Sequence, residues 1–179
     1  MSFDLQTIRQ LPPEGKIKSY REMEKIVRRL RGSGATIILA QGVFDIVHSG
    51  HVGYLRASSR IDTQNCFLIV GLENDDTVRQ NKGDNRPINP LEDRLHVISE
   101  FVSVGLVFAY EDTPHYDRPR DYIKRYQYLK AAAISVPSWD PHRELKEWQA
   151  SQAGSQLAFV EYRHINSTTE MLRKLGYES

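Results

Sequence analysis

The sequence predicts an α/β protein, a Rossmann-like doubly wound, mostly parallel sheet in a single domain. Short apolar runs of strand length alternate with segments of helical spacing. Those runs are apolar throughout, as in strands buried on both faces. The chain's 179 residues, 40% hydrophobic and 26% charged, suit one soluble domain with a real core.

In chain order, residues 1–15 read as an N-terminal tail and 16–179 as the folded domain. Met23, Ile26, Val27 and Leu30 recur at helical spacing and predict a helix over 19–31, ended by Gly32 and Gly34. A buried strand is expected over 36–41, then a loop, a helix over 51–60 and a strand over 66–72. Residues 73–89 form a polar stretch carrying Lys82, Gly83 and Arg86. Asn89 is the expected cap of the next helix. Pro90 suits its first turn, Glu92 and Asp93 favour its N-terminal dipole, and it should run to about 101. A short strand over 106–110, a helix over 117–129 and a strand over 131–136 follow. A helix over 141–153 should stop at Gly154, with a strand over 156–162 after it. Ser167-Thr168-Thr169-Glu170 has capping-box spacing, and Gly176 should end the last helix.

The net charge of +1 recruits neither nucleic acid nor an acidic membrane, so any anion site must be local. The single Cys66 excludes an internal disulfide, fits a reducing cytosol, and reads as a small buried hydrophobe within Cys66-Phe67-Leu68-Ile69-Val70. Nothing approaches a membrane span, and residues 1–18 lack an apolar signal core. A cytoplasmic location is expected.

The stretch Gly42-Val43-Phe44-Asp45-Ile46-Val47-His48-Ser49-Gly50-His51 follows a strand and opens a helix. Ligands of parallel sheets sit at the carboxyl ends of strands. There the helix start supplies backbone N–H groups and a positive dipole end, and the imidazoles add donors. The pattern points to phosphate chemistry, in which barriers fall through positioning and charge stabilisation. Two surface histidines or a metal pair are the competing readings. A zinc site would want a third ligand, and none is evident nearby, so no metal site is expected.

These residues resemble the signature of the cytidylyltransferase-like nucleotidyltransferases. Further matches are similar to the adenylyltransferase domain of ADP-heptose synthase. They are Arg86-Pro87-Ile88-Asn89-Pro90-Leu91-Glu92-Asp93-Arg94, Glu111-Asp112-Thr113-Pro114 and Ile165-Asn166-Ser167-Thr168-Thr169. The resemblance runs from about residue 16 to 175.

It implies that His48 and His51 bind the triphosphate and stabilise the pentacoordinate phosphorus. Gly42, Val43, Phe44 and Gly50 would line the nucleotide, Gly42 and Phe44 chiefly by shaping the turn. Lys82 matches a lysine that neutralises phosphate charge, which suits a point charge on a flexible stem; a solvated loop lysine is the other reading. Ser167 and Thr168 would hold the β- and γ-phosphates, or serve as a simple cap. Arg94 would meet phosphate, or pair with Glu92 or Asp45. Asp45 would face the acceptor, orient a histidine, or bond the loop backbone.

The implied reaction is attack by an acceptor phosphate oxygen on the α-phosphorus of a nucleoside triphosphate, with release of pyrophosphate. AMP, or alternatively CMP, would pass to a sugar phosphate such as heptose 1-phosphate, with Mg²⁺ on the triphosphate. A glycerol-3-phosphate-type cytidylyltransferase and a nucleotide-binding homologue without turnover are the alternatives. A homodimer is the default assembly. The chain departs from the family after the strand over 131–136. In place of Lys/Met-Gly-Gly/Asp-Asp-Tyr/Trp it has Ser135-Val136-Pro137-Ser138-Trp139-Asp140, and Gly105 stands where relatives often have Asp. Trp139 would stack on a base or sugar, or be a core aromatic beside the strand.

Overall fold

In the computed structural model, which describes residues 5–61, 64–163 and 168–176, five strands form one sheet. They are β1 (Thr36–Gly42), β2 (Cys66–Leu72), β3 (Leu106–Ala109), β4 (Ala133–Pro137) and β5 (Gln156–Val160). All pair in parallel, in the order β3-β2-β1-β4-β5. The order reverses at β1, so a crevice opens beyond the carboxyl end of that strand. The helices are α1 (Leu5–Arg9), α2 (Pro13–Lys16), α3 (Tyr20–Gly32), α4 (Ser49–Ser58), α5 (Asp75–Lys82), α6 (Leu91–Ser99), α7 (Asp121–Leu129), α8 (Arg143–Ala153) and α9 (Thr168–Lys174). No helix among the described residues is long and apolar enough to cross a membrane.

Strand alternation divides the core in two. Ile37, Leu39, Phe67, Ile69, Leu106 and Phe108 pack on α3, α7 and α8, through residues such as Met23, Leu30, Tyr126 and Ala150. Ile38, Ala40, Leu68, Val70 and Val107 pack on α4 and α6 through Tyr54, Leu55 and Ile98. The expected doubly wound, parallel architecture is therefore present. Gly71 and Gly105 are dictated by aromatics: a Cβ there would come within 2.7 Å of the Tyr110 ring and 2.5 Å of the Phe67 ring. The second contact leaves no room for an acidic side chain at 105.

Several local expectations are corrected. The segment before residue 16, expected as a tail, carries α1 and α2, and its Ile8 is buried in the core. Lys16 is buried too, and its Nζ donates to the carbonyls of Ser99 (2.9 Å) and Phe101 (3.1 Å) where α6 ends. The polar stretch 73–89 contains α5, whose apolar spacing is too sparse to signal a helix. Its start is set instead by Asn74, whose Oδ1 accepts from Thr77 N at 2.8 Å. Asn89 does not cap α6: its side chain donates to the Asp45 carbonyl at 2.6 Å, and Pro90 occupies the cap position. α7 begins at Asp121, later than the expected 117, because Pro119 disfavours helix in the residue before it. Cys66 is half-buried at the start of β2.

Candidate active site

The loop 43–48 leaves the central strand at its carboxyl end and enters α4. Phe44 adopts a left-handed backbone, φ 50°, which costs a bulky residue about 1–3 kcal/mol. Its buried ring compensates by packing over Gly42, where a Cβ would stand 3.2 Å from the ring, and near His51 at 5.2 Å between centroids. Gly42 and Phe44 thus shape the turn.

His48 is the cap of α4. Its Nδ1 accepts from Gly50 N at 3.1 Å, and His51 Nδ1 accepts the long, 3.4 Å bond from His48 N. Both Nδ1 atoms are acceptors, so the neutral rings carry their protons on Nε2. The rings lie 4.0 Å apart between centroids and 34° from coplanar. Two half-buried imidazoles are thereby set side by side at a helix N-terminus. Tyr54 fixes α4 from below through its hydroxyl, 2.8 Å from the Ser135 carbonyl.

Asp45 is buried, and its carboxylate accepts from Arg86 Nε (2.8 Å), Asn89 N (2.8 Å) and Ile88 N (3.0 Å). It clasps the 86–89 turn to the histidine loop. Its backbone partners belong to the 86–89 turn and not to the histidine loop whose backbone it was expected to bond. Arg94 has no exposed side-chain surface. It donates to the carbonyls of Val43 (2.7 Å), Glu73 (2.9 Å) and Asn89 (3.1 Å) and to Asp75 Oδ1 (2.6 Å). This corrects its expected phosphate contact and its expected pairing with Glu92 or Asp45: a guanidinium so enclosed ties strand ends together. Val43 contributes its carbonyl to that junction, and Gly50 is buried in the first turn of α4.

Lys82 ends α5 with an exposed side chain. Desolvation of its ammonium by the surrounding protein, and then the Arg86 guanidinium, push its pKa below the ordinary 10.5, against Asp45 and Glu73. Those influences place it within electrostatic reach of the clasp beside the histidine loop. Thr168, at the start of α9, donates through Oγ1 to the Ile46 carbonyl at 3.3 Å, so α9 is brought to the loop as well. Ser167 lies outside the described residues. Trp139 is 49% exposed after β4, 6.1 Å between centroids from Tyr162, and is not a core aromatic.

The sequence reading missed one charged group. Arg125 of α7 is fully buried. Its Nη1 donates to both Glu73 oxygens at 2.8 Å, and its Nε donates to Asp112 at 2.9 Å. Its guanidinium lies 3.9 Å from the Tyr110 ring centroid. Burial raises the Glu73 carboxyl above the ordinary carboxylate range, and Arg125 opposes that rise. An arginine at a core-facing helical position, beside Tyr122 and Tyr126, was the available signal. Among the described residues no group of three or more His, Cys, Asp or Glu could hold a metal ion. A groove of about 650 Å³ between Arg56 of α4, the following Arg60, and Phe101 and Val102 lies at the opposite, amino edge of the sheet and includes none of these residues.

Residues 39–177 match the family model described as Cytidylyltransferase-like. The "Bifunctional protein HldE" of a Nitratiruptor species is 32% identical over 169 residues, 94% of this chain and 34% of that protein. The protein of the same description from Streptomyces coelicolor is 34% identical over 150 residues, 83% of this chain and 30% of that protein. The chain therefore spans about a third of the length of the curated relatives it matches. Among solved structures, the lipopolysaccharide core biosynthesis protein from Thermoplasma volcanium GSS1 aligns with a TM-score of 0.56 at 24% identity. That alignment covers 72% of this chain and 98% of that one, and it shows a shared fold.

Proposed function

The chain belongs to the cytidylyltransferase-like family, and from that premise we propose that it is a nucleotidyltransferase acting on a sugar phosphate. A phosphate oxygen of the acceptor attacks the α-phosphorus of ATP or CTP, the bond to the β-phosphate oxygen breaks, and pyrophosphate leaves. The acceptor phosphate is already ionised at neutral pH, its second pKa being about 6, so no protein base is required. The observation that carries this reading is the pair of imidazoles held side by side at the start of α4 by the Nδ1 bonds of His48 and His51. Donors aimed where charge develops on the transferring phosphoryl group are what such a reaction needs.

Lys82 would follow the phosphates on its flexible stem, adding a charge that the fixed donors lack. Thr168 would hold the β- and γ-phosphate side, close to the loop to which it is already bonded. Trp139, exposed beyond β4, would offer its ring to the base or ribose. The nearby carboxylates Asp45, Glu73, Asp75 and Asp112 are each bonded to an arginine, a donor set that does not fit a protein-held ion. Mg²⁺ would arrive with the triphosphate it neutralises. The resemblance of residues 86–94 and 111–114 to the adenylyltransferase domain of ADP-heptose synthase favours heptose 1-phosphate as acceptor and AMP as the transferred group.

Pyrophosphate release with ATP and CTP against heptose 1-phosphate, hexose 1-phosphates and glycerol 3-phosphate tests the reading. Release with a sugar phosphate is expected. His51→Ala should lower kcat by about 10²–10³, with a small change in melting temperature because its 3.4 Å bond is weak. Nucleotide binding without release from any pair would overturn the proposal.

A further inference from the structure

Tyr122 carries a hydroxyl that is closed to solvent and has no hydrogen-bond partner among the described residues. A buried group of this kind bears an uncompensated desolvation cost, and folded proteins rarely keep one without a use. Its place in the fold suggests the use. On the same helix, Tyr126 meets the Gln41 side chain near the end of β1, and Arg125 meets Glu73 just past the end of β2. Tyr122 lies one turn nearer the start of α7, about 6 Å further along the helix axis. That step carries it beyond the carboxyl edge of the sheet, the edge from which the histidine loop also rises.

The surroundings are aromatic, and the cation that lies against the Tyr122 ring is already paired. The Tyr116 ring, 48% exposed, lies 6.3 Å from the Tyr122 ring between centroids. The backbone of Tyr116 is bonded to Asn81 Oδ1 at 2.9 Å, and Asn81 immediately precedes Lys82. The aromatic wall is thus anchored beside the lysine that would follow the phosphates. The Arg125 guanidinium lies 5.2 Å from the Tyr122 ring centroid, but its donors are committed to Glu73 and Asp112. A guanidinium already paired with two carboxylates gives a second phosphate little to hold. Hydroxyls and C–H faces would find a donor-acceptor oxygen and ring surfaces.

We propose that Tyr122, with the Tyr116 ring, forms the subsite that reads the uncharged, polyhydroxylated part of the acceptor. The inference rests on the nucleotidyl-transfer reading. Entry requires the half-exposed Tyr116 ring to turn aside, after which a sugar hydroxyl supplies the bond that Tyr122 lacks.

The test is Tyr122→Phe in the full chain, assayed by pyrophosphate release with ATP or CTP against heptose 1-phosphate, glucose 1-phosphate, mannose 1-phosphate and glycerol 3-phosphate. The expected result is an acceptor KM raised about tenfold for the sugar phosphates, the loss of one hydrogen bond. The nucleotide KM should stay within about twofold, and the melting temperature should be unchanged or higher. A higher melting temperature with an unchanged acceptor KM would show that the hydroxyl is a structural defect and overturn the proposal. A rise in nucleotide KM alone would place it on the nucleotide side and also overturn it. If the wild type releases no pyrophosphate with any pair, the nucleotidyl-transfer reading fails by itself. Calorimetric titration of both proteins with the same sugar phosphates then decides the subsite: weaker binding by Tyr122→Phe supports it, and equal or absent binding overturns it.

Discussion

Asp45 shows how far a residue's role depends on what meets it. Its carboxylate is almost fully buried and opposite Arg86, whose side chain is 10% exposed. Replacing it by alanine leaves a buried guanidinium without its counter-charge, which costs about 3–5 kcal/mol. Asp45→Ala should therefore lose stability of that order in urea unfolding, whereas the same change at Asp76, paired on the surface with Arg79, should cost about 0–1 kcal/mol. The sequence could show that Asp45 stands three residues before His48. It could not show that Arg86, Ile88 and Asn89, more than forty residues later, fold back onto it. The placement of the histidines was legible because it is local: three residues of spacing and a helix start suffice. Arg94 was misread for the opposite reason, since its partners come from Val43, Glu73, Asp75 and Asn89 and only the folded chain assembles them.

At the level of elements, long apolar strands and the amphipathic α3 announced themselves through periodicity. α5 did not, because its helix is made by a cap and acidic first turn rather than by an apolar stripe. The docking of α7 is the strongest case of hidden logic: a buried arginine joins the ends of β2 and β3 through Glu73 and Asp112. Arg125→Met would leave Glu73 buried and unpaired, a loss of about 3–5 kcal/mol near neutral pH. The sign of its pH dependence follows from linkage. Without Arg125, the folded-state pKa of Glu73 rises further above its unfolded value. The contribution is then fully present below the unfolded pKa and lost as pH rises through the folded one. The deficit of Arg125→Met relative to wild type should accordingly shrink on acidification, as measured by denaturant midpoints across a pH series.

Across the whole molecule, the parallel, doubly wound plan was readable because the central strands are buried on two faces and every connection is a helix-length crossover. Strand order was not, since nothing local says that the chain crosses back over β1 to place β4. The tyrosines give the folded state a distinct alkaline limit. Burial, ahead of smaller charge effects, pushes Tyr20 and Tyr162 up to about 12 from the ordinary 10.0 and raises Tyr54, Tyr110 and Tyr126 as well. Groups raised in the fold contribute stability that is complete below pH 10 and is lost as pH climbs through their folded values. Ultraviolet titration should show tyrosines ionising later in the native protein than in denaturant, with stability falling between about pH 10 and 12. Coincident native and denatured titrations would contradict this.

The clasp of Asp45 on the 86–89 turn also bears on affinity. A loop that must be ordered by its ligand surrenders part of the binding free energy to chain entropy. Here the carboxylate bonds, the Arg94 carbonyl bonds and the Thr168 link settle that entropy during folding. On the proposed function, a triphosphate meeting this loop would have mainly side chains such as Lys82 left to immobilise, so preorganisation would reside in the scaffold and discrimination in what surrounds it.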